Sequence, residues 1–279
     1  MDQPTTKFVP DEQPTELAIS EVERTGLSKA LSFYSAYGWR GRIGLIAPST
    51  NTTLEPEFSR MTPQGVAVYV SRVHQAGPQG LPSYQRMADG IATASTLLAT
   101  SEVDVIAFGC TSCTYFVSPE KVRDAMREKA GCLPVLTADA VLDAMRAMKL
   151  KRIAVVGPRT EMVTKREVEF LIEAGLDIAA SRCLGLGATE EERRAIGRVP
   201  PEVVYRLALS VDSPDVEAIF VSCTQLPTLG LIDQLERTLK KPVITSNQAT
   251  MWRCLRAIKF SDSVQGFGRL LSENPQLLI

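Results

Sequence analysis

The chain has 279 residues, 44% of them hydrophobic and 23% charged, with a formal net charge of −1. That length can bury a large core, while the near-zero charge supplies no field to recruit nucleic acid or an acidic membrane. No apolar run reaches the roughly 18–20 residues that cross a bilayer, residues 1–14 lack the apolar region of a secretory signal, and six cysteines without a signal fit free thiols in a reducing cytoplasm. The single histidine, His74, reads as a surface or loop residue, which argues against histidine-based metal sites and against Ser-His-Asp or Cys-His catalysis.

Residues 1–41 read as an N-terminal extension. Its start is rich in Pro, Thr, Asp and Gln, a composition that favours disorder, and 16–37 is compatible with one helix carrying Leu17, Val22, Leu27, Leu31 and Phe33. The core begins with Arg-Ile-Gly-Leu-Ile-Ala-Pro-Ser-Thr-Asn (42–51), an apolar run closed by Pro48 and a polar turn. That is the pattern of a buried parallel strand feeding a loop. Further strands are expected over 66–73 and 103–109, the latter ending at Cys110, with a helix over 87–98 between them. Ser118 and Pro119 suit the N-cap and first position of a helix that Gly131 terminates. A strand over 133–137 and a helix over 138–148 follow.

The pattern then restarts. Arg-Ile-Ala-Val-Val-Gly-Pro-Arg-Thr (152–160) repeats 42–50, and a helix should run on to Gly175. A strand is expected near 178–183, and Thr189-x-x-Glu192 is a capping box for a charged helix. The segment 201–211 is helical, and 217–222 is a strand ending at Cys223. The stretch Pro-Val-Ile-Thr (242–245) repeats Pro-Val-Leu-Thr (134–137), and a helix over 248–258 closes the second half. Residues 261–279 form a tail without clear pattern. The offsets of the three landmarks, 110, 113 and 108 residues, are nearly constant. The period is too long for a solenoid. It implies an α/β fold of two similar doubly wound parallel-sheet halves, 42–150 and 151–260, related by a pseudo-twofold axis and able to exchange their last helices. Ligands of such sheets bind beyond the carboxyl ends of the strands, so the active site is expected in the cleft between the halves, with one cysteine contributed by each.

A thiol at the start of a helix ionises more readily, because N–H groups and the helix dipole favour the anion. The same N–H groups can hold a carboxylate or a developing enolate. Thr111, Ser112, Thr224 and Gln225 each supply one directly after a cysteine. Two thiols flanking a small carboxylate can serve as base and acid, or as nucleophile and acid, with neither metal nor cofactor.

The Pro-Ser-Thr-Asn-Thr-Thr-Leu-Glu-Pro-Glu of 48–57, the Cys-Thr-Ser of 110–112 and the Ser-Cys-Thr of 222–224 resemble the aspartate/glutamate racemase superfamily. Within it they are most similar to the maleate cis-trans isomerase and arylmalonate decarboxylase branch, over about 42–258. The decarboxylases lack the first cysteine, so Cys110 favours an isomerase. The resemblance implies that Cys110 adds to the double bond of maleate with Cys223 as acid/base partner. It also implies that Asn51 binds a carboxylate alongside Pro48, Ser49 and the N–H groups named above. Two positions depart from the family: Arg159 stands where a tyrosine is usual, and Thr189 lies closest to a second family asparagine. A guanidinium can grip a carboxylate in bidentate fashion.

The expected function is therefore that of a cytoplasmic, cofactor-independent isomerase of a small carboxylate or dicarboxylate, with maleate first. No nucleic acid or membrane partner is expected, and self-association is compatible with the reading. A racemase or epimerase, a malonate-type decarboxylase and a non-catalytic carboxylate-binding protein are the alternatives. Cys113 completes a C-x-x-C motif with redox capacity. Cys132, Cys183 and Cys254 read as ordinary small apolar side chains, Tyr84 and Tyr115 as packing, and 190–194 as a solvated helix face or part of a lid hinged at Gly185 and Gly187.

Overall fold

The computed structural model describes residues 36–277, so nearly all of the extension, with its helix, lies outside the described residues. The first sheet is built from β1 (Gly41–Pro48), β2 (Val66–Val73), β3 (Val105–Phe108) and β4 (Leu133–Leu136), in the order β2-β1-β3-β4. The second repeats it with β5 (Arg152–Gly157), β6 (Asp177–Cys183), β7 (Ala218–Val221) and β8 (Val243–Thr245), in the order β6-β5-β7-β8. Every pairing is parallel. The central strands are unbroken apolar runs, Val-Ile-Ala-Phe in β3 and Ala-Ile-Phe-Val in β7, because helices cover both of their faces. In each sheet the chain leaves the first strand to one side and the third to the other. A topological switch point therefore lies between β1 and β3, and another between β5 and β7, where such sheets bind ligands.

The helices are α1 (Leu54–Met61), α2 (Leu81–Ala99), α3 (Cys113–Phe116), α4 (Pro119–Ala130), α5 (Thr137–Ala147), α6 (Glu161–Glu173), α7 (Glu190–Ala195), α8 (Pro201–Leu209), α9 (Ile232–Leu239), α10 (Ser246–Ala257) and α11 (Arg269–Glu273). Ser118 caps α4 through Lys121 N, and Gly131 ends it in the left-handed conformation. The capping box of Thr189 and Glu192 is formed. Helix α10 packs on α5 and lies against β3 and β4 of the other half as well as β8. Thr250 Oγ1 donates to Thr137 Oγ1 at 2.9 Å across this contact. One hydrophobic core consequently runs through both halves, joining Leu45 and Ala107 to Val155, Phe220 and Trp252.

A buried carboxylate fastens the halves together. Glu57, from α1, accepts hydrogen bonds from Thr228 N (2.7 Å), Leu229 N (2.9 Å) and Asn247 Nδ2 (2.7 Å). Burial pushes its carboxyl up, and these donors oppose the shift. The C-terminal tail has more order than its pattern suggests. Leu270 and Leu271 of α11 are buried, Asn274 Nδ2 donates to Ser261 O and Asp262 O, and Trp252 Nε1 donates to Pro275 O. Single anchoring side chains hold this segment, so no periodicity marks it. No helix among the described residues is long and apolar enough to cross a membrane.

Candidate active site

Strand β3 runs through Gly109 into Cys110, and Thr111-Ser112 leads into the short α3. Gly109 has to lack a side chain, since a Cβ there would lie 2.2 Å from Leu54 Cδ2 at the start of α1. This close approach brings the 48–53 loop against the cysteine loop. Strand β7 likewise runs through Ser222 into Cys223, but no helix follows. Residues 224–226 form a turn, and the next helix, α9, starts only at Ile232. Two features keep a helix from starting here. Cys223 has φ +107°, outside the helical region, and Pro227 disfavours helical backbone at the residue before it. A non-glycine residue held there is strained, a feature that clusters at functional sites.

Cys110 and Cys223 are 3% and 2% exposed. Ser246, the first residue of α10, links their loops: its Oγ accepts from Cys223 N at 3.0 Å and lies 3.1 Å from Thr111 Oγ1. Thr224 Oγ1 donates to Gly109 O at 2.9 Å. Asn51 is an organising residue: its Oδ1 accepts from Thr53 N and Leu54 N, both at 3.0 Å, and its Nδ2 donates to Thr224 Oγ1 at 3.0 Å. Gln225 N donates to Cys223 Sγ at 3.4 Å, and its Nε2 reaches Arg193 O at 3.1 Å. Pro48 is buried at the end of β1, and the buried Ser112 side chain interacts with the Tyr84 hydroxyl. The structure thus gathers Asn51, Thr111, Thr224 and Gln225 around the cysteines. Ser49 is exposed and its Oγ accepts from Gln75 N, outside this buried set.

Arg159 follows β5 and is 6% exposed. Its Nη2 donates to Cys223 Sγ at 3.4 Å, while its Nε has no partner. In electrostatic range of it lies Glu167 of α6, a buried carboxylate that accepts from Tyr115 Oη at 2.9 Å and from Ser222 Oγ. Burial raises the Glu167 carboxyl; the Ser222 hydrogen bond and the Arg159 charge pull it back. Burial likewise pushes the Cys110 thiol up, and Arg159 is the strongest influence in the other direction. The site therefore holds one guanidinium that acts on both thiols. Cys113 is buried with its thiol raised by burial, Cys254 is pushed up to about 12 by the same cause, and all six cysteines are free.

Sequence reasoning missed three groups. Glu167 lies on the buried face of α6 with Val163, Thr164 and Leu171 at helical spacing, a signal visible in the pattern. Ser246 and Asn247 fall in the first turn of a helix expected to begin two residues later. The third miss is a correction: 190–194 is not simply a solvated face, because Arg193 is 1% exposed and turns into the molecule. His74 is exposed in a loop, as expected.

Two matched parallel-sheet halves, each with a buried cysteine at the end of a central strand, have the architecture of a pseudosymmetric α/β enzyme. The arylmalonate decarboxylase family model matches residues 43–271, and the chain belongs to that family. The maleate isomerase of Pseudomonas putida is 28% identical, over 83% of this chain and 97% of that protein. A variant maleate isomerase from Pseudomonas putida S16, solved with maleate, superposes with a TM-score of 0.76 at 27% identity, covering 83% of this chain and 97% of its own. A cysteine-to-serine variant of the Nocardia farcinica maleate cis-trans isomerase, solved with a covalently bound succinylcysteine intermediate, superposes with a TM-score of 0.77 at 25% identity, covering 84% and 98%.

Proposed function

We propose that the protein is a cysteine-dependent cis-trans isomerase of the maleate isomerase type, acting on a small unsaturated dicarboxylate. The observation that carries the reading is the pair itself: a buried thiol at the end of β3 and another at the end of β7, with Arg159 acting on both. Cys110 speaks for isomerisation over decarboxylation, since the decarboxylases that the chain resembles have no thiol at that point. The succinylcysteine held by the Nocardia farcinica relative supports a covalent route.

In this mechanism the Cys110 thiolate adds to one alkene carbon. The π electrons move to the neighbouring carbon, which takes a proton from Cys223. The former double bond, now single, rotates. Cys223 then removes the proton, the double bond re-forms, and Cys110 leaves as thiolate, releasing the trans acid. The negative charge that builds beside the substrate carboxylate is met by the N–H groups of Thr111, Ser112, Thr224 and Gln225. Asn51 fixes the loop around them and keeps one Nδ2 hydrogen for the carboxylate. Arg159 steadies whichever sulfur carries the charge. A panel of small carboxylic acids, followed by proton NMR in deuterated water, tests the proposal. Conversion of maleate to fumarate is expected; deuterium exchange without geometric change, or loss of carbon dioxide, would replace it with racemisation or decarboxylation.

A further inference from the structure

Helix α6 grips the short helix that follows Cys110. Glu167 Oε1 accepts from Tyr115 Oη at 2.9 Å, Arg166 Nε donates to Tyr115 O at 3.2 Å, and the Phe170 ring lies 4.8 Å from the Tyr115 ring, centroid to centroid. Tyr115 therefore does more than pack: its hydroxyl and its carbonyl are both held by a helix of the other half. Helix α3, which carries it, begins at Cys113, and the N–H groups of Cys113 and Ser112 donate to the Cys110 sulfur. Fixing Tyr115 thus fixes the turn that faces this sulfur.

The same Glu167 oxygen also accepts from Ser222 Oγ. Ser222 stands between the end of β7 and Cys223, whose backbone is held at φ +107°. A strained residue persists only where its surroundings over-determine it. Here the strand end is pinned twice, by Ser222 Oγ on Glu167 and by Cys223 N on Ser246 Oγ at 3.0 Å. Tyr115, Glu167 and Ser222 are all buried. A hydroxyl has one hydrogen to donate, and both hydroxyls commit theirs to this one oxygen.

We propose that Glu167 is a positioning residue for the two thiols, a carboxylate whose single oxygen ties the Cys110 loop through Tyr115 to the Cys223 loop through Ser222. It keeps the nucleophile and the proton donor at matched places on the substrate. A misplacement of about 1 Å can cost on the order of 10²-fold in rate. The role rests on the isomerase reading and adds to it the part of the scaffold that sets the reaction geometry.

The test measures maleate turnover, and alkylation of the thiols by iodoacetamide, in the wild type, Glu167→Ala, Glu167→Gln, Tyr115→Phe and Ser222→Ala. Glu167→Ala should lower kcat by about 10²-fold with KM little changed, and Tyr115→Phe and Ser222→Ala should each lower it by about tenfold. Glutamine keeps an acceptor oxygen, so Glu167→Gln should recover most of the loss. Adding Tyr115→Phe to Glu167→Ala should cost nothing further. Alkylation, mapped by peptide, should quicken at Cys110 and Cys223 in Glu167→Ala and stay unchanged at the buried Cys254 of α10. Faster alkylation of Cys254 as well, or activity losses that follow thermal stability, would make Glu167 a packing residue and overturn the proposal. Should Glu167→Ala fail to fold, normal kcat in both Tyr115→Phe and Ser222→Ala overturns it. A wild type that turns over no alkene acid, with alkylation quickened only at Cys110 and Cys223 in Glu167→Ala, removes the isomerase and keeps the tie. Wild-type turnover that survives intact in Glu167→Ala removes the tie and keeps the isomerase.

Discussion

Arg159 Nη2 donates to Cys223 Sγ at 3.4 Å, in a site where neither residue is more than 6% exposed. A tyrosine, usual here in the branch the chain resembles, could donate one hydrogen bond but no charge. The guanidinium adds a permanent cation and is always protonated. It offsets the burial that raises the Cys110 thiol. Removing it in Arg159→Met should therefore move the pH dependence of Cys110 alkylation to higher pH and lower kcat/KM by about 10²-fold. An alkylation profile that does not move would show that the charge does not reach Cys110.

The proposed mechanism gives the two thiols different duties, so their substitutions should differ. Cys110→Ser removes the nucleophile and should leave no covalent species. Cys223→Ser removes the proton donor, costs about 10²–10⁴-fold in rate, and should leave maleate attached to Cys110. Intact-protein mass followed by peptide mapping reads both. An adduct mapped to any residue other than Cys110 would exchange or void the assigned roles.

Glu57 ties the first half to the second through Thr228, Leu229 and Asn247. Glu57→Ala strands these buried donors and should cost about 2–4 kcal/mol in urea unfolding. The pH dependence has a defined sign. Burial raises the native Glu57 carboxyl above its unfolded value, so its stabilising contribution is present at low pH and is lost as pH rises through the native value. Measured against Glu57→Gln, wild-type stability should fall over that rise; a difference independent of pH would show that Glu57 does not titrate there.

Gly187 has φ +108°, and a Cβ there would come within 2.6 Å of the Gln79 side chain, while its carbonyl accepts from Gln79 N at 3.0 Å. Gly187→Ala should loosen this contact between the loops of the two halves. A loss of about 1 kcal/mol in stability with a raised KM is expected. An unchanged KM would mean that the loop takes no part in closing the site.

The fold was readable where burial writes itself into composition. Fully apolar strands, the capping residues Ser118 and Thr189, and the repeated Arg-Ile and Pro-Val segments all carry local signals, as do the two cysteines that follow β3 and β7. What escaped depends on distant partners. Nothing around Arg193 says that its guanidinium crosses to Thr50 and Gly77, because four of its neighbours in 190–194 are charged and the run resembles a solvated face. Glu57 lies in a recognisable motif at the start of α1, but its acceptor role depends on donors about 170 residues away. The second cysteine looked like a copy of the first. The positive φ of Cys223 and the nearby Pro227 break that symmetry, so the halves share a fold without sharing a catalytic loop geometry.

The proposed mechanism requires Cys110 to do covalent chemistry on an alkene dicarboxylate. Its most direct test is proton NMR of maleate in deuterated water with the wild type and Cys110→Ala side by side. A growing fumarate signal is expected with the wild type and none with the variant. Fumarate formed at a similar rate by Cys110→Ala, or no fumarate from the wild type, would contradict it.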